Sequence, residues 1–151
     1  MEDRHIRKSH NKTCLLYHVV CPVKYRREVL TDGVIKTLTE TCLGIQSRYD
    51  IHFIEIGTDG DHVHLLVQSV PTASPQYIVQ TIKSITAKMV FAAHPEVKKK
   101  LWGGEFWTKG YYINTVGQHG NEQSIRNYVK NQGRTYQQIH RGQPTLFGTM
   151  G

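Results

Sequence analysis

Apolar positions along the chain alternate between two periods, and the changes of period mark the elements. "TCLLYHVVCPVKY" (13–25) is β-branched and aromatic, is bounded by Pro22, and reads as a strand. Thr31-Asp32-Gly33 offers a helix start, and Val34, Ile35, Leu38, Cys42 and Ile45 recur at helical spacing, so 32–49 reads as an amphipathic helix. "IHFIEIG" reads as a strand, "TDGD" as a tight turn and "HVHLLVQSV" as the antiparallel partner. Pro71 ends that strand. Ser74 can cap a second helix, with Ile78, Val79, Ile82, Ile85, Met89 and Val90 on one face, running to His94-Pro95. A basic and aromatic loop leads to the strand "YYINTVG", and "QHG" is a break. Asn121 can cap a last helix, "NEQSIRNYVKNQ", which Gly133 ends or loosens, and the remainder to "TLFGTMG" has no clear period.

This order predicts an α+β fold: a ferredoxin-like split βαβ sandwich, an antiparallel sheet with helices on one face, followed by an extra C-terminal helix. The expected organisation is a basic arm at 1–12, a single domain at 13–139 and a tail at 140–151. No repeat, low-complexity tract or linker interrupts it.

Composition narrows the partners. The apolar runs are too short to span a bilayer, and no apolar segment of export type follows Met1. Cys14, Cys21 and Cys42 form neither a CxxC pair nor an even framework, which points to a reduced, cytoplasmic setting and away from zinc held on cysteines. The net charge of +7 favours polyanions. It is clustered in "RHIRKSHNK", "KYRR" and "VKKK", among the aromatics Tyr17, Tyr25, Trp102, Phe106, Trp107, Tyr111 and Tyr112, and unpaired bases stack on such rings. Lys24, Arg26 and Arg27 are the first candidates for phosphate contacts, with Lys98, Lys99 and Lys100 next. Trp102 and Trp107 either stack on extruded bases or cover the sheet edge, and packing fits Trp107 better.

His62 and His64 stand two residues apart at the front of a strand and so share a face. Neutral and side by side, they can bind one divalent metal; otherwise they are packed or surface histidines. Asp61 either orients a histidine or closes the turn. On the last helix Tyr128 and Gln132 lie one turn apart on one face. An amide oxygen suits Mg²⁺ or Mn²⁺, and a tyrosine beside such a metal can attack phosphorus, although Tyr128 also fits a core position beside Ile125 and Val129.

The constellation resembles the single-tyrosine HUH transposases of bacterial and archaeal insertion sequences, TnpA-like, in which two histidines flank a bulky apolar residue, here His62-Val63-His64. "YHVVCPVKYRREVL" looks like their first strand and basic turn, "LWGGEFWTKGYYINTVG" like the stretch before and along their last strand, and "IRNYVKNQ" like their catalytic helix. The likeness covers 13–139. It implies His62, His64 and Gln132 as ligands of a divalent metal, Mg²⁺ or Mn²⁺, and Tyr128 as nucleophile. It also implies single-stranded DNA marked by subterminal hairpins as substrate, strand cleavage through a 5′-phosphotyrosine, and rejoining by a 3′-OH. The resemblance further implies a prokaryotic homodimer with active sites shared between chains. Gly117 and Gly120 would then serve as hinges for the tyrosine helix, or simply form a helix-entry loop. The hairpin strands are the expected dimer surface.

Two other readings stand beside it. A domesticated relative would cleave palindrome-associated hairpins for the host. A non-enzymatic ferredoxin-like nucleic-acid binder would use the sheet and aromatics alone, leaving His62, His64 and Gln132 without a task.

Overall fold

The computed structural model of the protein describes residues 15–102, 104–118 and 137–141. Their order is β1 (Leu15–Pro22), a 3₁₀ turn (Lys24–Arg26), α1 (Asp32–Arg48), β2 (Ile51–Asp59), β3 (His62–Ser69), α2 (Pro75–Ala93), α3 (Pro95–Lys100), β4 (Tyr112–Gln118) and β5 (Gln137–Arg141). The strands form one antiparallel sheet in the order β4-β1-β3-β2-β5. This is the ferredoxin-like arrangement expected from the sequence, with one strand added beside β2.

Local chemistry fixes the elements where the sequence places them. Thr31 Oγ1 accepts from Val34 N (3.3 Å) and Ser74 Oγ from Tyr77 N (3.0 Å), capping α1 and α2. The β2–β3 hairpin closes through Gly60, whose φ of 65° costs nothing without a Cβ. Alternation then sorts the strands. Tyr17, Val19 and Cys21 of β1 and Val63, Leu65 and Val67 of β3 face the helices, against Val34, Leu38, Cys42 and Ile45 of α1 and Ile78, Val79, Ile82 and Val90 of α2. Residues between them in sequence face the other way, where Leu16, Ile54 and Leu66 make a second buried cluster and His18, His62 and His64 share the surface.

Several sequence expectations are corrected. The stretch after Ala93 is a short helix, α3, started by Pro95 and ended by three lysines that suit its C-terminus. Met89 is exposed, not in the α2 core. Thr86 is buried there instead, because its hydroxyl donates to Ile82 O (2.6 Å) and accepts from the buried Trp107 indole N–H (2.9 Å). Trp107 therefore packs, as expected. The region read as aperiodic contains β5, so position 140, taken as the start of a tail, lies inside a strand. Gly117 is paired with Leu16 in β4 beside a register shift, so the strand continues past the first expected hinge glycine. Among the described residues β3 is central and β2 pairs with β5, so neither strand of the hairpin lies at an edge of the sheet.

Candidate functional site

β1 and β3 bring the site together. Their register sets Val20 opposite His64 and Pro22 opposite His62. His18 lies two residues from Val20 on the same face, diagonal to His64. The His62 and His64 ring centroids are 6.3 Å apart, and those of His18 and His64 5.5 Å apart.

Each imidazole of the pair is held at Nδ1. Asp61 Oδ1 lies 2.5 Å from His62 Nδ1, so Asp61 orients its neighbour as well as closing the turn. His64 Nδ1 is 3.4 Å from Nε2 of His18. At His62 Nε2 stands Nη1 of Arg26, whose guanidinium also lies 3.5 Å from Asp61 Oδ1. A guanidinium only donates, so His62 Nε2 acts as acceptor and the ring hydrogen belongs on Nδ1, towards Asp61. His64 Nε2 is buried.

Burial, and then the neighbouring His18 and His62, hold the His64 pKa down to about 4 against the opposing pull of Asp59, and burial lowers that of His18 too. His64 is thus a neutral imidazole at physiological pH, the form a metal ion requires. This has a stability consequence. The unfolded chain takes the proton near 6.5 and the folded chain only near 4, so the unfolded state binds more protons in that window. The His64 contribution is complete above 6.5 and is lost as pH falls towards 4. Discounted for the partial exposure of the ring, this amounts to roughly 1–2 kcal/mol. Urea unfolding in EDTA at pH 7 and pH 4 should show wild type losing about that much more than His64→Ala.

The turn after β1 carries Arg26 to this place. Val23 N donates to Asp61 O, Lys24 N to Phe106 O (both 2.8 Å) and Thr108 N to Pro22 O (3.0 Å), which clamps the strand end. Tyr25 and Arg26 are then both left-handed, with φ of 60° and 54°. Two successive non-glycine residues there are strained by roughly 1–2 kcal/mol each, and such strain gathers at functional sites.

The four residues of "KYRR" go four ways. Lys24 Nζ pairs with Glu105 (2.9 Å), so its charge is already matched. The Tyr25 hydroxyl donates to Trp102 O (3.4 Å), Arg26 reaches His62, and Arg27 lies over the exposed Trp102 ring at 5.7 Å. Lys98, Lys99 and Lys100 are exposed on α3, with Lys98 over Phe91. An open cleft beside His62 is lined by Val20, Pro22, Arg26, Tyr111 and Tyr112. Cys21 and Cys42 are buried free thiols, and burial drives Cys21 up to about 12.

Tyr128, Gln132 and Gly120 lie outside the described residues. Among the described residues no group of three or more His, Cys, Asp or Glu side chains forms a metal site. The donors at hand are the imidazoles of His62 and His64, His64 neutral, each turned with Nδ1 to a neighbour and Nε2 away from it, so they fit a divalent ion that finds a further ligand elsewhere. No described helix is long and apolar enough to cross a membrane.

Sheet order and site together define a ferredoxin-like α+β domain bearing a histidine pair beside a strained cationic turn. The family model of IS200-like transposases matches residues 11–132, and the chain belongs to that family. It is 35% identical over 118 residues to the ISDra2 transposase TnpA of Deinococcus radiodurans, covering 78% of this chain and 84% of that one. To the transposase for insertion sequence element IS200 of Salmonella typhimurium it is 27% identical over 124 residues, covering 82% and 80%. The crystal structure of a putative transposase from Deinococcus radiodurans superposes with a TM-score of 0.64 at 30% identity, covering 79% of this chain and 91% of that one. A REP-associated tyrosine transposase bound to a REP hairpin shares the fold, with a TM-score of 0.51 at 12% identity, covering 76% and 62%. The protein is a DNA transposase of the IS200-like family.

Sequence reasoning missed His18 as a member of the site. Its only signal was one imidazole in the otherwise apolar "LLYHVV".

Proposed function

We propose that the protein cleaves and rejoins single-stranded DNA at hairpin-marked ends of an insertion sequence, with Tyr128 as nucleophile and a divalent ion held by His62, His64 and Gln132. The observation that carries this is the histidine pair itself: two imidazoles on one face of the central strand, held at Nδ1, with His64 kept neutral by burial. The family match reaches Gln132, the last residue the mechanism needs.

The Tyr128 oxygen attacks phosphorus, the bond from phosphorus to the 3′ oxygen breaks, and that oxygen leaves as a 3′-OH after taking a proton. A 5′-phosphotyrosine remains, and attack by a 3′-OH reverses the step and rejoins strands without loss of a phosphodiester. A bound divalent ion would polarise the phosphodiester and help align it. Two imidazoles and one amide oxygen form a donor set that suits Mn²⁺ better than Mg²⁺.

Arg26 is placed to exchange its contact with His62 for a phosphate oxygen, a charge-assisted hydrogen bond. Tyr25, Arg27 and Trp102 offer an exposed stacking and cationic surface next to it. Arg26→Gly should leave stability within about 1 kcal/mol, since relief of the left-handed strain offsets the greater freedom of the unfolded chain. The same change should slow cleavage at least about tenfold, a loss of some 1.4 kcal/mol of transition-state stabilisation. Urea unfolding and single-turnover kinetics check the two halves.

That the REP-associated relative was seen bound to a REP hairpin supports hairpin DNA as the ligand here. Its 12% identity, against 35% to the ISDra2 transposase, favours an insertion-sequence enzyme over a host palindrome nuclease. We also propose a homodimer in which each tyrosine helix completes the partner's site. Mixing His64→Ala with Tyr128→Phe should then restore cleavage that neither variant shows alone.

The test is to incubate the protein with Mn²⁺ and labelled single strands from both flanks of its gene and to run denaturing gels. A metal-dependent protein–DNA band is expected. DNA bound but never covalently attached would move the reading to a binding module.

A further inference from the structure

The two members of the histidine pair are oriented by different means. Asp61 supplies a carboxylate to His62 Nδ1, the common partner of a metal-bound imidazole. His64 Nδ1 instead faces the ring nitrogen Nε2 of another histidine, His18. The rings of His18 and His64 are nearly parallel, at 19°, yet their centroids are 5.5 Å apart while the facing nitrogens are 3.4 Å apart. The difference is close to two ring radii, so the nitrogens lie near the line joining the rings. The rings therefore meet edge to edge, in the plane where a hydrogen bond points, and not face to face. The separation is at the long end of hydrogen bonding.

His18 itself is well fixed. It is 8% exposed, sits in an inner strand between β3 and β4, and meets the Tyr112 ring edge-on at 6.5 Å. A leucine or phenylalanine would fill that space without bringing a polar ring into an apolar run, and a buried polar group costs free energy unless it is hydrogen-bonded.

We propose that His18 is a positioning residue for the metal site: its Nε2 accepts the hydrogen bond of His64 Nδ1–H, which fixes the ring and leaves His64 Nε2 as the ligating nitrogen. This rests on His62 and His64 being metal ligands. Both ligands then present Nε2, one held by a carboxylate and one by an imidazole. His18 touches neither substrate nor metal.

The experiment has two readouts, neither of them catalysis. Long-range ¹H–¹⁵N spectra of the metal-free wild-type protein report which nitrogen carries hydrogen; His64 should be protonated on Nδ1 and His18 should carry a bare Nε2. Mn²⁺ affinity is then measured by electron paramagnetic resonance of the free ion for wild type, His64→Ala, His18→Phe and His18→Gln. His18→Phe, which keeps a ring and loses the acceptor, should weaken Mn²⁺ binding by about 10–100-fold, whereas His18→Gln, whose oxygen reaches near the Nε2 position, should stay within about threefold of wild type.

Unchanged Mn²⁺ affinity in His18→Phe, with His64→Ala still losing the ion, would overturn the positioning role and leave the metal reading intact. Equal and larger losses in both His18 variants would make His18 a ligand and overturn it too. Wild type that binds no Mn²⁺ would remove the metal reading and this proposal together. If His18→Phe does not fold, the spectrum decides: His64 protonated on Nε2 contradicts the assignment, and on Nδ1 supports it.

Discussion

Tyr128→Phe should reduce cleavage of hairpin-bearing single strands by at least about 10⁴-fold, because removal of an attacking group leaves only what binding and electrostatics supply. Affinity for the uncleaved strand should hardly change. One hydroxyl is lost from the nucleophile, while the cationic and aromatic groups around "KYRR" remain. Single-turnover cleavage and equilibrium binding on the same DNA separate the two. Parallel loss of both would assign Tyr128 to DNA binding or to a structural role. Cleavage at near wild-type rate would point to a metal hydrolase that uses water.

His64→Ala is the second large effect. The change removes one of the two imidazoles on the central strand and leaves His62 with Asp61 and Arg26. A bound ion contributes several kcal/mol of charge stabilisation in such reactions, so metal-dependent cleavage should fall by about 10³-fold or more. Raising Mn²⁺ should recover part of the activity if the ion is only weakened. Full activity at low Mn²⁺ would refute the ligand assignment.

Much of the fold is legible because periodicity and punctuation agree. The hairpin "IHFIEIG-TDGD-HVHLLVQSV" has its alternation, its turn glycine and its ending proline, and β2 and β3 form there. Thr31 and Ser74 cap the helices they precede. β5 was hidden because "QQIHR" is a short polar edge strand, and edges are commonly built from residues that carry no apolar alternation. The α2 face was misread at Met89 because helical spacing cannot anticipate that Trp107, twenty-one residues from Thr86, brings an indole N–H that needs an acceptor.

The site was legible in part for similar reasons. His62 and His64 stand on one face because a strand alternates, and Asp61 meets His62 because they are neighbours. His18 was not found, since its pairing with His64 depends on the β1–β3 register, which no local pattern states. Arg26 was singled out for its charge alone. Its approach to His62 depends on two left-handed residues, neither of them glycine, and side chains give no sequence signal for that. Lys24 was grouped with it, yet Glu105, 81 residues away, takes its ammonium.

The central claim is that Tyr128 becomes joined to DNA. The most direct measurement is mass spectrometry of the covalent species formed with Mn²⁺, digested with nuclease and protease, to find which peptide carries the residual 5′-phosphonucleotide. A modification on Tyr128 is the expected result. The described tyrosines in the cleft beside His62 are Tyr111 and Tyr112, and a nucleotide on either of them, with Tyr128 unmodified, would contradict the account.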